Sequence, residues 1–308
     1  MANTSILVIG GGFAGMTAAL EAAELGHEVY LVEKAPYLGG RVMQLNKYFP
    51  KFCPPSCGLE IQYQRIKNNP LVKFFTLAEV VKVEGSVGNY TATIRVKPRH
   101  TAPNSVDFRA LAQELDGEVP NAFEFGLSSR KGLYMDVPFA FPQRYVVDKA
   151  CLTEGDKAKL AACADINLAE EERTIPLQVG AIIIATGWKP YDVTRLTNLG
   201  AGTIKNCISN MQMERIASPY GPTQGKIVRP SDGRAPQKVA FVQCAGSRDE
   251  NHLSYCSYIC CAASLKQAQY VREQYQMQKL LYIISICVPQ VAMIPLPERS
   301  WQTPRSMR

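Results

Sequence analysis

The chain has 308 residues, 46% of them hydrophobic and 20% charged, the balance of a globular protein with room for one large or two ordinary domains. Its formal net charge of +7 is mild for that length and is not gathered into a run, so nothing in the charge calls for nucleic acid as a partner. The first residues carry no basic n-region or cleavage site of a signal peptide. No stretch reaches the ~20 apolar residues that cross a bilayer; the nearest, 280–296, is broken by Pro289, Gln290 and Pro295.

In chain order, residues 5–10 read as a buried strand, 14–25 as an Ala-rich helix closed by Gly26, and 28–32 as a second strand. That is a βαβ unit, which predicts a parallel sheet covered by helices, an α/β fold. Between the first strand and the helix, Gly10-Gly11-Gly12-Phe13-Ala14-Gly15 fits the dinucleotide fingerprint. Gly10 permits the tight turn, Gly12 admits a pyrophosphate to the backbone, and Gly15 lets helix and strand pack closely. The helix then offers its free N–H groups and positive dipole end to a diphosphate. Glu33 ends the second strand, where an acid accepts from the adenosine ribose hydroxyls, which favours FAD or NAD over NADP. Lys34 follows it. Gly39-Gly40-Arg41 comes at the spacing of an extended FAD motif, with the arginine directed at phosphate.

Residues 74–83 and 90–96 alternate as strands, and Val80 and Val81 in the first are assigned to the cofactor. The pattern breaks from 98 to 174, a segment rich in Pro, Phe and charge with one clear helix near 106–115, and it reads as an insertion. Residues 179–185 form another apolar strand that ends in Ala185-Thr186-Gly187, similar to the segment that returns to FAD in many flavoproteins. The region 218–237 is a Pro/Gly-rich connection. A strand at 238–243 and a helix at 261–274 begin a second unit. The expected division is 1–97 and 177–217 for the FAD domain, 98–176 for the insertion, 218–276 for the start of a second Rossmann-like domain, and 277–308 for an atypical tail.

The ten cysteines read as reduced, in a cytoplasmic setting where clustered thiols serve metal or redox chemistry. No second glycine fingerprint follows the strand at 238–243. Cys244 stands there instead, with Cys256, Cys260 and Cys261 after it. Four thiolates suit an iron–sulfur cluster; zinc is disfavoured by the adjacent Cys260-Cys261 pair, and buried reduced thiols are the remaining alternative. Cys53-Pro-Pro-Ser-Cys57 is C-x3-C, not the C-x4-C of flavin disulfide reductases, and either a redox pair or two structural thiols fits. His252 reads as a surface residue, and three histidines without a nucleophile elbow give no support for a hydrolase.

The segment 244–268, with Gln44-Leu-Asn-Lys-Tyr-Phe-Pro50 and 121–131, resembles the flavin-bearing iron–sulfur subunit of heterodisulfide reductase. The resemblance runs to about residue 273. It implies a thioredoxin-reductase-like fold of two dinucleotide domains, FAD, a 4Fe-4S cluster on Cys244, Cys256, Cys260 and Cys261, and Lys266 beside the isoalloxazine ring, where a cation stabilises an anionic reduced flavin. It also implies other subunits of an electron-transfer complex as partners. The family's ferredoxin-like insertion carries two cysteine clusters, whereas 98–174 here has only Cys151 and Cys163. In that the chain is similar to the corresponding flavoprotein of the quinone-interacting membrane-bound oxidoreductase of sulfate reducers, which implies a cytoplasmic protein held at the membrane by its partners. The tail beyond 276 departs from the family and reads as that of a truncated or frame-shifted chain, with an incomplete second domain. Two other functions stay open: an NAD(P)H-dependent disulfide oxidoreductase using Cys53 and Cys57, and a cofactor-free fragment that binds partners.

Overall fold

The structure, a computed structural model, describes residues 3–103 and 107–275 and the backbone of 279–283. β1 (Ile6–Ile9), α1 (Phe13–Glu24) and β2 (Val29–Val32) form the expected βαβ unit. The spacing of Gly15, Met16, Ala19, Leu20 and Ala23 puts all five on the face of α1 that packs on the sheet. Full burial of Leu20 alone contributes about 2 kcal/mol. A long helix, α2 (Pro55–Asn68), precedes β3 (Val72–Phe75). It is absent from the expected elements, yet Pro55 at its first turn and buried Leu59, Tyr63 and Ile66 at helical spacing account for it.

The alternating segment 74–83 is divided between two sheets. β3 ends at Phe75, Leu77 turns the chain with φ 55°, and β4 (Ala78–Ser86) pairs antiparallel with β5 (Asn89–Val96). The insertion follows, with α3 (Arg109–Gln113), β6 (Glu118–Pro120), β7 (Ser129–Lys131), β8 (Leu133–Tyr134), β9 (Val146–Val147) and α4 (Glu154–Ala161). Two short hairpins and these helices share a small core of Phe108, Leu115, Leu133, Val147, Leu160 and Ile166. A capping box of Thr153 and Asp156 starts α4. Burial opposes ionisation of Asp156, but the N–H groups of Asp116, Thr153 and Gly117 outweigh it and hold the carboxyl well below the usual range.

β10 (Arg173–Val179) pairs with β5 and begins inside the segment read as insertion; Pro176 within it disguises the strand. β11 (Ala181–Ile184) pairs parallel with β1, so the main sheet has the order β11-β1-β2-β3. Successive residues of β1 serve two cores: Val8 faces α1, and Leu7 faces the β10-β5-β4 sheet. The last part holds α5 (Asn210–Ala217), β12 (Lys238–Val242), α6 (Cys260–Gln274) and β13 (Lys279–Ile283), with β12 and β13 parallel. That second βαβ carries regular backbone into the segment read as tail; the rest of that expectation, on 284–308, lies outside the described residues.

Asp136, in the loop between β8 and β9, is half-buried. Desolvation raises its carboxyl to about 6; Arg130 and Arg215 pull it down, and the Glu124 charge adds to the rise. The folded state therefore binds more protons than the unfolded chain between about pH 4 and 6, and stability falls as pH rises through that window. The span amounts to at most about 3 kcal/mol. Asp136→Asn should flatten this slope in urea titrations from pH 4 to 7, and should gain stability at neutral pH.

Candidate functional site

Three segments meet at the carboxyl end of β1. Gly10 has φ 109°, and a Cβ there would stand 2.3 Å from the Ala185 carbonyl oxygen. A Cβ on Gly15 would stand 1.8 Å from the Gly10 oxygen, so helix and turn touch through backbone. Gly39 bridges Gly12, and its N–H donates to the Gly11 carbonyl at 2.8 Å. A Cβ on Gly40, at φ 58°, would press on the Gly12 Cα at 2.9 Å. A Cβ on Gly12 would meet only the Gly40 Cα, at 3.9 Å, so this glycine faces open space. No side chain caps α1, and Phe13 and Ala14 in its first turn are exposed, as are Thr186 and Gly187 across from them. An open, glycine-lined cradle against a positive helix end is what a dinucleotide diphosphate requires, and the residues present fit FAD.

Glu33 braces this cradle. Its oxygens accept from Gly11 N–H at 2.6 Å and Ala35 N–H at 2.7 Å. Burial pushes the carboxyl up, against the pull of the Ala35, Gly11 and Lys34 N–H groups. Lys34 is paired with Glu79 on the surface at 3.3 Å. Val80 packs into the core between the two sheets, and Val81 is the half-exposed residue of a β-bulge. Arg41 donates to Gln44 Oε1 at 2.9 Å, and its guanidinium stands 5.7 Å from the Trp188 ring and 5.9 Å from that of Phe125. Trp188 follows Gly187 directly, so the aromatic arm of the return segment holds the arginine at the cradle mouth.

The cysteines gather where β12 hands over to α6. Cys244 sits in the turn after β12 with φ 56°, and Arg248 and Tyr258 in the same loop also have positive φ. Three such non-glycine residues mark a strained loop. Burial raises the Cys260 thiol, and the nearby Cys261, Cys256 and Cys244 add to the rise. Tyr258 N–H donates to Cys256 Sγ at 3.4 Å. Among the described residues, no three Cys, His, Asp or Glu side chains are grouped closely enough to hold a metal ion. Four thiols are a donor set of the iron–sulfur kind, but this arrangement does not bring three of them together. None of the nine described cysteines is in a disulfide. Cys53 is bridged to Tyr48, and Cys57 lies in the first turn of α2, one residue before Gly58, which borders Phe13.

Lys266 is not an exposed helix lysine. It is 5% exposed, donates to the Lys47 carbonyl at 2.5 Å and pairs with Glu214 at 3.0 Å. Glu214 also accepts from Asn46 N–H at 2.9 Å and Gln267 Nε2 at 2.8 Å. Its neighbour Arg215 is wholly buried and forks onto Glu124 at 2.8 and 2.9 Å. Sequence reasoning misses both, although the Ser209-x-x-Gln212 capping box announces their helix. His252 is likewise no free surface residue: its Nδ1 shares a 2.6 Å hydrogen bond with Tyr191 OH, from the chain just past the FAD return segment.

Residues 5–50 match the family model described as FAD dependent oxidoreductase. The chain is 41% identical over 272 residues to a CoB–CoM heterodisulfide reductase iron-sulfur subunit of Methanopyrus kandleri, covering 87% of this chain and 42% of that one. It is also 41% identical over 277 residues to the CoB–CoM heterodisulfide reductase iron-sulfur subunit of Methanocaldococcus jannaschii, covering 88% and 42%. With a subunit of the ferredoxin/F420H2-dependent CoB–CoM heterodisulfide reductase of Methanosarcina acetivorans it shares 34% over 280 residues, covering 89% and 35%. The chain thus spans about two-fifths of the length of the curated relatives it matches. It has the fold of the FAD-dependent oxidoreductases, with FAD the cofactor of that fold, and its relatives at 34–41% identity are subunits of heterodisulfide reductases.

Proposed function

We propose that this chain is the flavin-bearing electron-transfer part of a heterodisulfide-reductase-like complex, in which FAD exchanges electrons with a 4Fe-4S cluster held by Cys244, Cys256, Cys260 and Cys261. The observation that carries this reading is the meeting of Gly12, Gly40 and Ala185 in one open cradle. When bound, FAD takes or gives two electrons and the cluster passes them singly. The chain's own groups do the rest. The N-terminus of α1 and Arg41 would bind the diphosphate, and Glu33 holds the turn and would accept from the ribose hydroxyls. Lys266, neutralised by Glu214, would serve the flavin side by fixing the Lys47 carbonyl behind the cradle, and Phe13 and Trp188 stand at the cradle mouth. The partners are the other subunits of the complex. With only Cys151 and Cys163 in the insertion, the reading extends to the quinone-linked complex of sulfate respiration, docked at the membrane through those subunits.

Protein purified without oxygen should carry about one flavin and roughly four iron and four sulfide per chain. Cys256→Ser should lose the iron and keep the flavin. Yellow protein without iron would remove the cluster from this reading. Rapid bleaching of the flavin by NADH in stopped flow would replace it with the disulfide oxidoreductase that uses Cys53 and Cys57.

A further inference from the structure

The segment between the FAD return strand and β12 carries charge that the rest of the surface balances out. Residues 189–238 hold eight lysines and arginines against three carboxylates. Of these, Arg215 and Glu214 are buried in pairs of their own. Elsewhere the surface lysines Lys34, Lys82, Lys131 and Lys157 each pair with a glutamate. Here, among the described residues, the exposed Arg195, Lys205 and Arg234 are in no ion pair, while Arg229 is matched by Asp232. Uncompensated like charge on one surface opposes folding and favours a partner of opposite sign.

These cations rim a cleft. The 3-10 turns Val193–Arg195 and Thr197–Leu199 are followed by Gly200 and Gly202 at φ 72° and 84°, and the chain doubles back there. Asn206 then accepts from Ser231 N–H at 3.0 Å, which brings Pro230 to the same place. The cleft between these segments has about 220 Å³, and Leu127, Val193, Ile204, Ile208 and Pro230 are among its walls. Ile204 is 58% exposed. Lys205 lines the cleft itself, Arg195 follows the lining residue Thr194, and Arg229 adjoins Pro230. Arg229 N–H donates to the Arg234 carbonyl at 2.8 Å, so Arg234 belongs to the same rim. The segment also touches the cysteine loop through Tyr191, whose OH shares the 2.6 Å hydrogen bond with His252.

A cleft of this size is below the ~300 Å³ at which small-molecule sites begin, and it suits one anchoring side chain of another protein. Cations around an apolar cleft select carboxylates beside that anchor. They alternate with Asp192 and Asp232, a mosaic that matches carboxylates at fixed places better than a uniform sheet of phosphates. We propose that this cleft docks another protein through an acidic segment that carries one apolar anchor side chain. As a contact within the electron-transfer complex it rests on the function proposed above.

The test uses the full chain and a rhodamine-labelled peptide, Glu-Glu-Asp-Leu-Asp-Glu-Glu with blocked ends, read by fluorescence anisotropy. The wild type should bind it at low salt and release it as salt rises to about 0.5 M. The same peptide with alanine for leucine should bind roughly tenfold more weakly, the worth of one buried apolar side chain. A peptide with lysines for its acids should not bind. Arg195→Glu/Lys205→Glu/Arg234→Glu should weaken the leucine peptide about tenfold or more. Lys67→Glu/Lys157→Glu/Arg173→Glu makes the same change of net charge at exposed positions away from the cleft, and should leave the affinity within about twofold. Circular dichroism checks the fold of both variants, and the comparison of leucine with alanine needs neither. No binding by the wild type, equal affinity for the leucine and alanine peptides, or equal losses in the two charge variants would each overturn the proposal. Uptake by phosphatidylserine vesicles that the first variant abolishes, without peptide binding, would assign the cations to a lipid surface and overturn it too. Flavin and iron content of the same preparations report on the function proposed above, so the two readings fail separately.

Discussion

Gly12→Ala is expected to fold normally and to lose flavin, whereas Gly15→Ala is expected to lose both. The two glycines stand three residues apart in one turn, yet their surroundings differ. At Gly12 an added methyl meets only the Gly40 Cα at an ordinary 3.9 Å, and the backbone has φ −72°, which alanine adopts freely. The fold should lose no more than about 1 kcal/mol, the cost of alanine in place of glycine at an N-cap. The methyl projects into the cradle, where the diphosphate must approach the backbone. Overpacking there costs about 1–3 kcal/mol, or roughly five- to 150-fold in FAD affinity. At Gly15 the same methyl would stand 1.8 Å from the Gly10 carbonyl oxygen. Backbone cannot yield there without parting α1 from β1, and a loss of about 3 kcal/mol or more is expected. Thermal melts and flavin fluorescence on the two variants separate the outcomes. Full FAD affinity in Gly12→Ala would mean that the ligand does not lie over this turn.

That contrast shows how much of the site is written locally. The fingerprint, Gly39-Gly40 and Ala185 are legible because each uses glycine or a small residue for a steric reason that the neighbouring sequence declares: a strand before, a helix after. Their meeting, although they lie far apart in the chain, is legible only through the habit of parallel sheets, which β11 beside β1 satisfies. Less is legible where burial depends on distant partners. Lys266 has the sequence of an exposed helix lysine, and only Glu214 and the Lys47 carbonyl, each far along the chain, make it a core residue. His252 likewise gains its role from Tyr191. α2 is easily overlooked although Pro55, Leu59, Tyr63 and Ile66 carry its period, because Cys53 and Cys57 at its start draw the reading toward a loop. β3 and β4 merge in the sequence because alternation persists through Leu77, and a left-handed turn at a leucine leaves no signal of its own.

Arg215→Met is expected to be the most damaging single change outside the glycine turn. Arg215 has 1% of its side chain exposed and Glu124 6%, and the guanidinium forks onto both carboxylate oxygens. It also donates to the Tyr220 carbonyl at 3.1 Å and the Gln44 carbonyl at 3.4 Å, and stands 4.9 Å from the Phe123 ring. Methionine fills much of the volume but leaves Glu124 as a buried charge without its partner, which costs about 3–5 kcal/mol. Removing Glu124 as well, in Arg215→Met/Glu124→Leu, removes that charge. Only the hydrogen bonds to the two carbonyls then stay lost, at about 1 kcal/mol each. The double variant should therefore be more stable than the single one, by a coupling energy that a double-mutant cycle in urea can read. Arg215→Lys keeps the charge but not the fork, and should fall between the two. The Gln44 contact ends the helix that begins at Gly40, so the same series should weaken FAD binding in step with stability. If Arg215→Met unfolds no more readily than the double variant, the pair contributes nothing specific. The joint between the insertion, α5 and the FAD loop would then be held by the packing of Met213 and Ile216 and by the hydrogen bonds of Gln44 to Phe123, Gln212 to Phe125 and Asn46 to Glu214.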